Sequence, residues 1–132
     1  MASEELHESA DALKPETIDR HRAIVSLMEE LEAVDWYAQR VEATQDSELA
    51  AILAHNRDEE KEHAAMVLEW LRRHDAVFDK QLRNYLFADK PVLEREEELD
   101  AAETIGNKTE ASNQNRDSGS LGIGSLREEP HS

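Results

Sequence analysis

Two long runs of apolar residues at helical spacing constrain the fold of this chain more than any other feature. From residue 15 to about residue 43, apolar side chains recur every three or four positions and nothing interrupts the pattern. After a polar connection at residues 44–47, a second seam runs to about residue 73. A connection this short makes consecutive helices antiparallel neighbours, so the sequence predicts an all-α fold built on a two-helix hairpin. The second seam consists of Leu49, Leu53, Asn56, Glu60, His63, Val67 and Trp70.

The sequence around the hairpin predicts the limits of a helical domain over residues 14–102. Residues 1–13 are polar with weak periodicity and predict a flexible N-terminal arm. After the hairpin, a short third helix is expected through Phe87 and ends before Pro91. Residues 92–102 are acidic and predict one more short helix.

The C-terminal part of the chain has a different composition. Residues 103–119 are polar and cannot bury enough apolar area to offset the entropy of ordering them, which predicts a disordered linker. Residues 120–132 form a tail that carries a small apolar group, Leu121, Ile123 and Leu126. An isolated apolar group in such a tail is typical of a docking peptide.

Three ionisable residues occupy positions of the apolar seams where a leucine is expected. They are Glu30 in the first helix and the pair Glu60 and His63, one turn apart, in the second. Burying such groups is unfavourable unless a bound metal or a basic side chain compensates them. Arg57 and Lys61 lie close enough in sequence for the second alternative, a salt-bridged polar layer that sets helix register.

One chain holds half of the ligands that a di-metal carboxylate centre in a four-helix bundle requires. Such a bundle takes one Glu from each of two helices and a Glu-x-x-His pair from each of the other two. This chain offers one helix of each kind. A two-fold dimer supplies the other half, so the sequence predicts that two copies together complete both the bundle and the metal site.

The composition excludes several other classes of function. Thirty-one acidic residues face fifteen basic ones, for a formal charge of −16, which argues against a nucleic-acid partner. The chain has no cysteine, which excludes disulfides and thiolate metal sites. No signal peptide and no membrane-spanning apolar run is recognisable. A cytoplasmic protein without a membrane partner is therefore expected.

Five stretches of the sequence resemble the encapsulated ferritins. Four lie in the helical domain: residues 28–37 (MEELEAVDWY), 55–64 (HNRDEEKEHA), 68–73 (LEWLRR) and 85–87 (YLF). The fifth, residues 119–126 (GSLGIGSL), is similar to the peptide that loads cargo into encapsulin shells. The resemblance covers about residues 15–93 and the tail.

The resemblance implies a function and an assembly. Members of this family are half-ferritins that oxidise Fe²⁺ to Fe³⁺ at a di-iron centre between subunits, with two iron ions per dimer interface. Dimers complete the ferritin-like four-helix bundle and assemble into rings, commonly decamers. The tail docks on an encapsulin shell protein, which implies a location inside an encapsulin nanocompartment in the cytoplasm, where the shell stores the iron.

The resemblance also assigns roles to individual residues. It implies that Glu30, Glu60 and His63 of each of two chains form the catalytic iron centre. Glu29 and Glu32 correspond to secondary metal sites on the path to that centre, and Trp36 and Tyr37 to the aromatic residues beside it. For the aromatics a packing role is favoured over a redox role, with the Tyr37 hydroxyl placed to hydrogen-bond a ligand carboxylate.

Two other functions remain open from the sequence. One is a different di-metal carboxylate enzyme, such as a manganese catalase or a peroxidase. The other is a non-catalytic helical adaptor in which the polar seam positions set the register of packing.

Overall fold

The computed structural model describes the backbone of residues 5–116 and the side chains of residues 5–107. Every regular element in these residues is helical. A 3-10 turn at Ala10–Ala12 is followed by α1 (Pro15–Ala43), α2 (Ser47–Arg73), α3 (Ala76–Tyr85) and α4 (Val92–Arg116). No helix in the described part of the chain is long and apolar enough to cross a bilayer. The chain separates into two compact units, the first ending at Arg83 and the second beginning at Asn84.

The ends of α1 and α2 follow from local chemistry and confirm the predicted hairpin. Pro15 occupies the first turn of α1. Backbone N–H groups in the first turn have no partner within the helix, so a proline there costs no hydrogen bond. In the connection, the Asp46 carboxylate accepts a hydrogen bond from the Leu49 N–H at 2.9 Å and caps α2. Arg72 and Arg73 lie in the last turn of α2, where positive charge interacts favourably with the helix dipole.

The hairpin has a very thin core. Within residues 5–107 only Ala64 and Leu71 are buried, at 8% and 3% exposure. Large apolar side chains on both helices remain about half exposed, among them Leu31 at 55% and Met66 at 57%. Two helices cannot enclose both sides of their apolar seams, so this hairpin leaves an apolar face without cover.

An ion-pair network fixes the start of α3 against the end of α2. The Arg72 guanidinium donates two hydrogen bonds of 2.7 Å to the Glu69 carboxylate and pairs with Asp79 of α3. Asp75 caps α3 by accepting a hydrogen bond from the Phe78 N–H at 3.0 Å. Arg72 and Arg73 lower the pKa of Glu69 to about 2, so the network persists to strongly acidic pH.

The end of α2 is reinforced by His74. Its ring stacks on Trp70 with centroids 3.9 Å apart, and its Nδ1 lies 2.8 Å from the Trp70 carbonyl oxygen. Arg20 of α1 donates to the His74 carbonyl at 3.4 Å. Contacts from α1 and α2 therefore hold His74 in place.

The structure differs from the predicted elements after the hairpin. The third helix ends at Tyr85 rather than Phe87, and Phe87 takes the left-handed conformation with a φ of 62°. The fourth helix does not end at residue 102 but continues to Arg116, so residues 103–116 are helical rather than an irregular linker. No proline lies within this stretch, and acidic residues in its first turns favour a helix. Residues 1–4 of the arm and 117–132, with the predicted tail, lie outside the described residues.

We expect Arg72→Met to loosen α3, because it removes both the Glu69 and the Asp79 contacts while keeping an apolar side chain. Backbone amides of α3 should exchange with deuterium faster, as measured by mass spectrometry. Arg73→Met is the matched control, since the Arg73 guanidinium bonds only Glu69. Equal exchange of α3 in the two variants would contradict the role of Arg72.

Candidate metal centre

Glu30, Glu60 and His63 come together where the middles of α1 and α2 cross. Their burial is partial: the side chains are 26%, 24% and 43% exposed. His63 Nδ1 lies 3.3 Å from Glu60 Oε2 and 3.7 Å from Glu30 Oε2. One ligand-capable atom from each of the three residues lies within 4.8 Å of the others.

The helix geometry explains why these side chains converge. Glu60 and His63 are three residues apart in α2, so they project from one face about one turn apart. Glu30 lies near the middle of α1, and the antiparallel packing of the two helices brings it opposite that turn. The three seam positions identified from the sequence are therefore neighbours in the structure.

The two carboxyl groups interact strongly with each other. A hydrogen bond with Glu60 raises the pKa of Glu30, and burial and the negative charge of Glu60 raise it further. The pKa of Glu60 is lowered because its carboxylate accepts hydrogen bonds from Glu30 and His63. The two carboxyl groups therefore titrate as a coupled pair, and a cation bound between them would compete with protons.

The basic residues near this cluster do not neutralise it. Arg57 Nε donates to Asp58 Oδ1 at 3.0 Å, and Lys61 Nζ lies 3.4 Å from the same oxygen. Both positive charges are thus engaged by Asp58, which lowers the pKa of that residue. In the described residues, neither Arg57 nor Lys61 pairs with the Glu30 or Glu60 carboxylate, whose basic neighbour is the His63 imidazole.

The donor set fits a transition-metal ion. Two carboxylates and one imidazole are ligands suited to iron, manganese or zinc, and the cluster is the only such group of three or more found among the described side chains. Glu30, Glu60 and His63 would hold the ion, with His63 Nδ1 as the nitrogen that faces the carboxylates.

The other residues singled out in the sequence lie beside the cluster. Glu29 and Glu32 are exposed on α1 and are not part of the three-residue group, although the charge of Glu29 contributes to the raised pKa of Glu30. Trp36 is 50% exposed. The Arg40 guanidinium carbon lies over the Tyr37 ring, 5.4 Å from the ring centroid. No hydrogen bond joins Tyr37 to Glu30 in the described residues. The sequence analysis did not predict this cation–π contact. The three-residue spacing of Tyr37 and Arg40 places them on one helix face and is compatible with it.

Comparisons with known proteins bear on this arrangement. The family model described as EncFtn-like matches residues 5–89. The encapsulated ferritin-like protein of Rhodospirillum rubrum is 58% identical over 129 residues, covering 98% of this chain and 92% of the relative. The ferritin-like protein of Thermotoga maritima is 54% identical over 96 residues, covering 73% of this chain and 84% of the relative.

A shorter match and a solved structure extend the comparison. The encapsulin nanocompartment cargo protein EncC of Myxococcus xanthus is 46% identical over 46 residues, 35% of each chain. The crystal structure of protein ne0167 from Nitrosomonas europaea is 66% identical and superposes with a TM-score of 0.64, covering 66% of this chain and 96% of that one. The residues matched by the EncFtn-like family model, 5–89, include α1, α2 and the three clustered residues. This chain belongs to the EncFtn-like family of ferritin-like helical proteins.

Proposed function

We propose that this protein is a ferroxidase that oxidises Fe²⁺ to Fe³⁺ at a centre shared by two copies of the chain. The observation that carries the proposal is the convergence of Glu30, Glu60 and His63 within 4.8 Å, in seams that are otherwise largely apolar. Neither neighbouring basic residue compensates the carboxylates. A multiply charged cation compensates them, and iron chemistry in helical bundles uses this ligand set.

The need for a second copy follows from the ligand count and from the thin core. Three ligands hold one ion weakly and cannot hold two, whereas a two-fold related pair of chains offers six. The same pairing covers apolar side chains that remain exposed on the hairpin, such as Leu31 and Met66. The dimer completes the four-helix bundle and holds two iron ions per interface, and we propose that dimers assemble further into a ring of ten chains.

The residues of the cluster favour the oxidised ion. Each Fe²⁺ is a substrate that loses one electron, and dioxygen or peroxide accepts the electrons. The negative charges of Glu30 and Glu60 stabilise Fe³⁺ more than Fe²⁺ because the attraction grows with the charge of the ion. His63 supplies a neutral nitrogen ligand, and Glu30 and Glu60 bind iron as carboxylates, so iron binding competes with protons at these groups.

Residues beside the cluster have supporting roles in this proposal. Glu29 and Glu32 are exposed carboxylates on the same helix as Glu30, and they attract Fe²⁺ on its way to the centre. Trp36 and Tyr37 pack beside the centre.

The partner and location are proposed from the relatives. The Rhodospirillum relative is described as encapsulated, and the Myxococcus relative as cargo of an encapsulin nanocompartment. We propose that residues 120–132 of this chain dock on an encapsulin shell protein through Leu121, Ile123 and Leu126. The protein then works inside a cytoplasmic nanocompartment, where Fe³⁺ is stored.

We expect Glu30→Ala, Glu60→Ala and His63→Ala each to slow ferric iron formation by at least about tenfold, because each removes a ligand from both halves of the centre. The measurement is anaerobic loading with Fe²⁺, exposure to air and the growth of ferric absorbance. Glu42→Ala, an exposed carboxylate of α1 outside the cluster, should keep the wild-type rate. Ferric iron formation at the wild-type rate in all four variants would contradict the proposal.

Metal affinity should fall as pH is lowered. The raised pKa of Glu30 means that its carboxyl group holds a proton at higher pH than a free glutamate does, and a metal ion must displace it. Titration with Co²⁺ between about pH 8 and pH 5 should therefore show progressively weaker binding and proton release. Glu42→Gln should leave this dependence unchanged, and binding that is independent of pH over the range would contradict the raised pKa of Glu30.

Deletion of residues 121–132 should leave iron oxidation intact and abolish loading into encapsulin shells. We expect the two functions to separate because Glu30, Glu60 and His63 all lie in α1 and α2, outside the deleted residues. Co-expression with the shell protein, purification of shells and quantification of cargo measure the loading. Normal loading of the shortened chain would show that another surface binds the shell.

A further inference from the structure

The helix α4 runs unbroken through a stretch whose composition predicts a flexible linker. It spans Val92–Arg116, 25 residues, which corresponds to about 37 Å of helix. In the chain it lies directly before the residues proposed to dock on the shell. The metal centre uses none of its residues, so this length of ordered helix requires a separate explanation.

The helix has no face suited to packing against a core. Its large apolar residues Leu93, Leu99 and Ile105 are six positions apart, so each is rotated by about 240° from the one before and they scatter around the axis. Leu93 is 73% exposed and Ile105 is 65% exposed, whereas Leu99 is partly buried. A helix whose few large apolar residues are spread around its axis, rather than gathered on one face, is typical of a connector held by local charge pairs.

Local interactions support the first turns of α4. Lys90 forms an ion pair with Glu98, and Arg95 Nη1 lies 3.4 Å from the same carboxylate. Arg95 Nε also donates to the Asn84 carbonyl at 2.9 Å, which ties α4 to the end of α3. These contacts give α4 a fixed starting point.

The charges at the start of α4 favour a helix. Apart from Arg95, the charged residues of its first half are acidic. Glu94 lies in the first turn, where negative charge interacts favourably with the helix dipole. These charges therefore stabilise the start of α4.

Gly106 is the weakest point of this helix. It is the one glycine between residues 92 and 116, and no proline occurs there. A Cβ atom added at Gly106 meets no atom within 4 Å, so alanine fits without a steric conflict. Substitutions at this position can strengthen or break the helix while the ends of α4 stay unchanged.

We propose that α4 is a semi-rigid spacer about 37 Å long that precedes the C-terminal tail. The identity of the tail's partner rests on the proposed function; the spacer itself does not. A flexible linker of the same length has a broad range of end-to-end distances around roughly 28 Å. A helical spacer instead sets a fixed distance between its own two ends.

Amide hydrogen exchange on the full chain, with two substitutions at Gly106, tests the spacer. The amides of residues 103–112 should be protected in the wild type, and Gly106→Ala should raise their protection by up to about fivefold through higher helix propensity. Gly106→Pro should abolish protection around position 106, because it removes a backbone donor and clashes with the preceding turn. Coil-like exchange of these amides in the wild type, unchanged in both variants, would overturn the proposal.

A distance measurement on the same helix provides an independent test. The chain has no cysteine, so spin labels attached after Glu97→Cys and Ala111→Cys are the only ones present. Labelled chains are diluted in unlabelled chain. The distribution of distances between the two labels of one chain should then be narrow and consistent with helix positions about 21 Å apart along the axis. It should broaden in Gly106→Pro, and an equally broad wild-type distribution would overturn the spacer. A chain that gives a narrow distribution but does not load into shells would contradict the proposed partner and leave the spacer supported.

Discussion

The close approach of the Glu30 and Glu60 carboxyl groups across the α1–α2 packing is the interaction on which the rest of this structure depends. It places two carboxyl groups in a half-buried seam, where each changes the pKa of the other and the His63 imidazole is their basic neighbour. Arg57 and Lys61 do not pair with either carboxyl group, because Asp58 engages both. The fold therefore keeps an unfavourable charge arrangement that a bound cation would relieve, as is common at functional sites.

The thin core couples this site to assembly. A hairpin that buries only Ala64 and Leu71 among residues 5–107 has little apolar burial to oppose the entropy of folding. The exposed apolar side chains belong to the same two helices as the three clustered residues. In our account one event, the pairing of two copies, both covers that face and completes the metal centre.

The sequence predicts the hairpin and the cluster well because both depend on local periodicity. Pro15, Asp46 and the uninterrupted seams determine α1 and α2, and a three-residue spacing places Glu60 beside His63. The later elements were harder to predict. The left-handed conformation of Phe87 follows the end of α3 without a glycine or proline signal. No proline interrupts α4, which continues past residue 102 despite its polar composition. The Asp58 contacts that withdraw Arg57 and Lys61 from the cluster depend on side-chain conformations, which spacing does not reveal.

The most direct test of the central claim is the iron oxidation rate of mixed assemblies. Wild-type chains and Glu60→Ala chains are unfolded together in equal amounts, reassembled and compared with wild type alone. If each centre needs both copies, about one quarter of the interfaces are fully wild type and the rate falls to about one quarter. A rate of about one half, proportional to the wild-type fraction, would show that each chain acts alone and would contradict a shared centre.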